Sequence, residues 1–189
     1  MRIVGGALRG RVIAAPKGDR VRPTGERARE ALFNILAHAD FDGFELEGAR
    51  VLDLFAGSGA LGLEALSRGA AFALFVDDHA ESRAVIRENL EHLGLNGNAK
   101  LYKRDATSLG PRPGSVGPAF SLVFADPPYG RKLAEAALAS ARDGDWLAPR
   151  ALCIVEEAVT SDFVAPEGFD EVDRRRYGVT EIVFMRAPA

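Results

Sequence analysis

The sequence predicts a doubly wound α/β fold: a mostly parallel, seven-stranded sheet with a small basic extension at its N-terminus. Three observations predict it. From residue 50 onward, short apolar runs alternate regularly with helical patterns, as in βαβ units. A glycine-rich turn lies between the first such run and the first such helix. The last stretch, 171–186, can supply a closing antiparallel pair. With 189 residues, 47% of them hydrophobic and 27% charged, the chain has the makings of one soluble domain with a real core.

Residues 1–22 read as two short extended pieces around Gly5-Gly6 and Gly10, ending at Arg22-Pro23. Thr24 or Gly25 is placed to cap a helix whose inner face is Ala28, Ala31, Leu32, Ile35 and Leu36. Arg50 to Phe55 is a buried strand, Ala60 to Arg68 a helix stopped near Gly69, and Phe72 to Val76 the second strand. Ala80 to Leu93 is amphipathic, with Ala80, Ile86, Leu90 and Leu93 inward and Gly94 at its end. Ala99 to Lys103 is the third strand, and residues 110–118, with three prolines and three glycines, are a loop. Phe120 to Ala125, a helix from Leu133 to Arg142, and Ala151 to Val155 complete the alternation.

Composition removes several function classes. No apolar run approaches the roughly 18 residues that span a bilayer, and Met1 to Gly6 lacks the apolar stretch of a secretory signal, so a cytoplasmic enzyme is expected. The single cysteine, Cys153, forms no disulfide framework and reads as a buried strand residue. His38, His79 and His92 are scattered, and no metal site is expected. Charge is unevenly spread: residues 1–29 carry eight basic groups against two acidic ones, a net +6, leaving −9 on the rest of a chain whose total is −3. A basic edge on an acidic body suits a polyanion, with Arg9, Arg11, Arg22 and Arg29 as candidate RNA contacts; a solvated surface hairpin is the alternative.

In an open α/β sheet, ligands bind at the carboxyl ends of the strands, so the residues there carry the argument. Asp53-Leu54-Phe55-Ala56-Gly57-Ser58-Gly59-Ala60-Leu61-Gly62 contains G-x-G-x-x-G directly after a strand and before a helix. Glycines let the turn pass close to a ligand, with Phe55, Ala56, Gly57 and Gly59 lining the approach. Asp53, four residues before the first glycine, suits a cationic ligand such as the amino-acid end of S-adenosylmethionine and opposes a dinucleotide pyrophosphate. At the next strand end, Asp77 or its neighbour Asp78 is placed to hold the ribose hydroxyls of an adenosine. At the third, Asp105-Ala106 can meet the adenine, with a turn cap as the alternative role for the aspartate.

Asp126-Pro127-Pro128-Tyr129 follows the fourth strand. Two successive prolines keep the backbone extended, leaving the Pro127 carbonyl available. That carbonyl and the Asp126 carboxylate can accept both hydrogens of a planar amino group, turn its lone pair toward a sulfonium methyl, and take the released proton. Tyr129 offers a flat face for a base, a stacking worth about 1–3 kcal/mol.

These motifs resemble those of the amino-group methyltransferases of adenine, cytosine and guanine. The N-terminal pieces Arg2-Ile3-Val4-Gly5-Gly6, Arg9-Gly10-Arg11, Arg22-Pro23-Thr24 and Arg29 to Leu36, together with Val51 to Ala70, are similar to the RsmD-type methyltransferases of small-subunit ribosomal RNA. The resemblance implies a Rossmann-like class I methyltransferase domain over 26–189, with residues 1–25 as an extension that docks RNA. It implies transfer from S-adenosylmethionine to N2 of one guanine of 16S rRNA, guanine 966, on an assembling small subunit, by a monomer. Asp53, Gly57 and Gly59 would hold the methionine end, Asp77 the ribose and Asp105 the adenine, while Asp126 to Tyr129 face the guanine. Asp77 is shorter than the glutamate common in the family, and Glu26 stands where an aspartate is usual; each keeps a carboxylate.

Three other functions compete. A DNA adenine methyltransferase would need a further domain for reading duplex sequence. A nicotinamide-dependent oxidoreductase explains the glycines but not Asp-Pro-Pro-Tyr. A non-catalytic RNA-binding module explains only the basic segment.

Overall fold

The computed structural model describes residues 1–16 and 25–189. The expectations for Arg22 and Thr24 therefore lie outside the described residues.

Among the described residues, seven strands form one sheet: β1 (Arg50–Leu54), β2 (Phe72–Val76), β3 (Ala99–Tyr102), β4 (Phe120–Ala125), β5 (Leu147–Ala158), β6 (Asp170–Tyr177) and β7 (Thr180–Arg186). Their order is β3-β2-β1-β4-β5-β7-β6, with β1 to β5 parallel and β7 antiparallel to both its neighbours. Among the described residues, four α-helices cover it: α1 (Glu26–His38), α2 (Ala60–Ser67), α3 (Ala80–Leu93) and α4 (Leu133–Asp143). From β1 the chain winds outward through β2 and β3, then returns to β4 on the other side. The strand order thus reverses between β1 and β4, and a crevice at their carboxyl ends is the consequence.

The pleat decides what each layer buries. Val51, Ala73, Phe75, Leu122, Phe124, Leu152 and Ile154 face α1, α2 and α3, while Leu52, Leu54, Leu74, Val76, Val123, Cys153 and Val155 face α4. Cys153 is fully buried, and burial pushes its thiol up to about 12. Among the described residues, no helix is long and apolar enough to cross a membrane.

Residues 1–13 form a hairpin tied by an Arg2–Val12 bridge and packed on the α1–α3 layer. Ile3 and Ile13 are 1% and 2% exposed, so the extension shares the body's core. Burying an isoleucine contributes about 1.5–3 kcal/mol. The hairpin tip meets the last residues of two helices: the Ala7 amide donates to the Ser67 carbonyl at 2.7 Å, and Arg11 Nη2 to the His92 carbonyl at 2.9 Å. Both helices run down from the carboxyl edge, so Arg9 and Arg11 are exposed at the opposite end of the body. The chain leaving the hairpin reaches the glycine turn, where Asn89 holds the Ala14 amide at 2.8 Å and the Ser58 carbonyl at 3.0 Å.

Several expectations are corrected. Arg29 is not a candidate RNA contact. Its side chain is wholly buried, with Nε 3.4 Å from Glu64 and Nη2 donating to the Arg2 carbonyl. Glu64, equally buried, also accepts from Arg68 at 2.8 Å and from the Val4 amide at 2.9 Å, and so ties the hairpin, α1 and α2 together. The inward face of α1 accordingly runs through Arg29, Leu32, Phe33, Ile35 and Leu36, and Ala28 is exposed. In α3, Ala80 is exposed in the first turn; Ser82, Ile86, Asn89, Leu90 and Leu93 point inward. β5 begins four residues before the expected Ala151, because Arg150 with φ 58° turns the chain while the strand continues, with a register shift against β4.

Candidate active site at the carboxyl edge of β1 and β4

Asp53 lies in the centre of the sheet, with Phe75 of β2 and Phe124 of β4 as its register partners. Only 2% of it is exposed, and burial pushes its carboxyl up to about 8, helped by the nearby Asp77 charge and opposed by a 2.9 Å hydrogen bond from the Gly62 amide. A buried carboxyl held this far above its ordinary range gains most from a cation placed beside it.

The turn after β1 starts with strain. Phe55 has φ 58°, a left-handed backbone that a bulky residue adopts only when its surroundings enforce it. The Ala56 amide donates to the Val76 carbonyl at 3.1 Å, and the Phe55 ring packs toward the α4 side. Gly59 has φ 78° and caps α2, with Phe75 3.2 Å from where a Cβ would stand. At Gly62 a Cβ would lie 2.4 Å from the Phe75 ring and 3.0 Å from Asp53, so only glycine lets α2 lie this close to the sheet.

Asp77 continues the Phe75 side of β2. It is 8% exposed, accepts the Gly57 amide at 2.9 Å and the His79 amide at 2.8 Å, and thereby couples the second strand end to the glycine turn. Asp78 points to solvent and pairs with His79 at 2.6 Å. Asp105 is exposed and caps a short turn, accepting from the Thr107 amide at 2.8 Å and hydroxyl at 2.7 Å, while Ala106 is buried against the α4 layer. A buried carboxyl, a turn with glycine at 57 and 59 and a second carboxylate bonded to that turn fit a cationic nucleoside ligand.

Asp126 follows Phe124 by two residues and lines a small cavity with Leu32, Leu61, Phe124, Ile154, Glu156 and Ile182. The Tyr129 hydroxyl donates to Glu156 Oε1 at 2.7 Å and also meets the Thr180 side chain; burial and the neighbouring carboxylates raise its pKa. Glu157, on the other side of β5, accepts the Gly130 amide at 3.2 Å and the Ser161 hydroxyl. Two consecutive glutamates thus hold the Asp-Pro-Pro-Tyr loop, one at its tyrosine and one at the following glycine.

The structure brings Asp53, the glycine turn, Asp77 and Asp126 to Tyr129 to one edge. It leaves Arg9 and Arg11 at the other end. Sequence reading does not single out Glu156, Glu157 or Thr180. The first two follow the apolar run Ile154-Val155, as Asp53, Asp77 and Asp126 follow or close apolar runs of their own, although β5 continues past them to Ala158.

Fold and site together define a class I methyltransferase dependent on S-adenosylmethionine. Residues 1–186 match the family described as "Conserved hypothetical protein 95", and the chain belongs to it, with the RsmD-type methyltransferases among its members. It is 44% identical over 160 residues to Ribosomal RNA small subunit methyltransferase D of Escherichia coli, covering 84% of this chain and 75% of that protein. The protein of the same name in Haemophilus influenzae is 32% identical over 180 residues, covering 95% and 90%. The solved structure of the E. coli protein yhhF superposes with a TM-score of 0.81 at 35% identity, over 100% of this chain and 98% of that one.

Proposed function

We propose that this chain methylates the N2 amino group of one guanine in 16S rRNA, acting in the cytoplasm as a monomer on an assembling small ribosomal subunit. The observation that carries the reading is Asp126-Pro127-Pro128-Tyr129 at the end of β4, beside the Asp53 turn on β1 and anchored by Glu156. The name of the E. coli relative supports the substrate class.

S-Adenosylmethionine, when bound, supplies a methyl group activated by a sulfonium. Asp53 faces its cationic end, Phe55, Ala56, Gly57 and Gly59 pass along it, and Asp77 accepts from the ribose hydroxyls. Asp78 stays in solvent, and Asp105 and Ala106 border the adenine. Asp126 and the Pro127 carbonyl accept the two N–H bonds of the target amine, which holds its nitrogen in line for attack. Asp126 would take the proton that the amine nitrogen gives up when the methyl carbon passes to it from sulfur, the carbon–sulfur bond breaking to leave a neutral thioether. Tyr129 stacks on the base after it is turned out of its helix, and Pro128 keeps the two in register. Arg9, Arg11 and Arg22 supply phosphate contacts, the sequence-independent part of RNA affinity.

The test is methyl transfer to small subunits purified from a strain lacking the enzyme. Asp126→Ala should abolish transfer while S-adenosylhomocysteine binds within a few-fold of wild type. Wild-type turnover in that variant would overturn the assignment.

A further inference from the structure

We infer that Glu156 accepts the ring N1–H of the target base and is the residue that makes guanine, rather than adenine or cytosine, the acceptor. This rests on the function proposed above. Asp-Pro-Pro-Tyr by itself recognises an exocyclic amine, and all three bases carry one. They differ at the adjoining ring nitrogen: guanine N1 bears a hydrogen, whereas adenine N1 and cytosine N3 bear a lone pair. A second carboxylate beside the first therefore attracts guanine and repels the other two.

The structure supplies that carboxylate. β4 and β5 are parallel neighbours with Ala125 in register with Val155, so Asp126, just past β4, and Glu156, still inside β5, are adjacent where that pairing ends. Both line the same cavity, whose floor is Leu32, Leu61, Phe124 and Ile154, and an apolar floor strengthens a hydrogen bond to a charged group. Glu156 continues the Phe124–Ile154 side of the pleat; Glu157 faces away and is engaged by Gly130 and Ser161. The Tyr129 hydroxyl, 2.7 Å from Glu156 Oε1, fixes the carboxylate before substrate arrives. A base stacked on that ring presents its edge to the two strand ends, its amine to Asp126 and its N1 to Glu156.

The test uses the full chain and small subunits reconstituted with either guanine or 2-aminopurine at the target position. 2-Aminopurine keeps the 2-amino group but carries no hydrogen on N1. Wild type should favour guanine in kcat/KM by about 10- to 100-fold, the range for a hydrogen bond to a charged group. Glu156→Gln can donate its amide to the bare N1, so the preference should shrink to within about 3-fold. Tyr129→Phe, which removes the hydroxyl and keeps Glu156, should lower both rates and retain the preference. A wild type that treats the two bases alike overturns the inference, whatever the variants do. So does a Glu156→Gln variant that binds cofactor normally, loses rate on both bases equally and keeps the wild-type ratio, since Glu156 would then act only by holding Tyr129. Absence of transfer to guanine by wild type would instead defeat the proposed function.

Discussion

Asp53 links the fold to the cofactor through pH. Its carboxyl is ionised in the unfolded chain above about 4, but in the folded protein it stays protonated to about 8. A folded-state pKa raised above the unfolded value means that the group's contribution is fully present below pH 4 and is lost as pH rises to 8. Each unit is worth about 1.4 kcal/mol, so the three units between pH 5 and pH 8 remove about 4 kcal/mol of stability. Asp53→Asn has no such titration. The stability of the variant relative to wild type, from urea denaturation of the cofactor-free proteins, should therefore rise by about 4 kcal/mol from pH 5 to pH 8 and then level off. The same carboxyl must ionise to face a cation, so wild-type affinity for S-adenosylmethionine should strengthen up to about tenfold per pH unit below 8, with release of one proton. Calorimetry in buffers of different ionisation enthalpy measures that proton. A pH-independent stability difference, together with binding that releases no proton, would refute this account of Asp53.

Two further outcomes are expected. Asp77→Ala should weaken cofactor binding by about 1.5–3 kcal/mol through lost charge-assisted hydrogen bonds, while the solvent-facing Asp78→Ala stays within about 0.5 kcal/mol; calorimetry that reverses the order assigns the ribose to Asp78. Replacing Arg9, Arg11 and Arg22 together with glutamine should raise the RNA concentration needed for activity and lower the salt slope of RNA binding by about 2, with cofactor binding unchanged. A folded triple variant with wild-type RNA affinity and salt slope would leave these arginines with no part in RNA binding.

Most elements were legible because their signals are local. The 24-residue step from Asp53 to Asp77, the glycines between them and Pro127-Pro128 follow from turn chemistry and strand length alone. The N-terminal face of α1 was not legible. Hydrophobic spacing put Ala28 inside, whereas the buried residue is Arg29, whose charge is met by Glu64 from a helix 35 residues away. Periodicity counts apolar residues and is blind to a buried charge that carries its own partner. The extended start of β5 was hidden for a related reason, since Pro149 and Arg150 break the apolar run without ending the strand.

By itself the sequence determined the order of strands and helices, the carboxylates at three strand ends, the Asp-Pro-Pro-Tyr loop and the basic segment, because each depends on neighbours within a few residues. Only the tertiary structure decided what those groups experience. Asp53 is an ordinary strand-end aspartate until Phe75 and Phe124 close on it from two other strands and strip its water. Arg9 and Arg11 are only a cluster of charge until the hairpin places them at the end of the body away from the carboxyl edge of the sheet. Glu156 comes beside Asp126 and Tyr129 only when β5 aligns next to β4, since a pairing between segments 30 residues apart is set by packing and leaves no mark in local spacing.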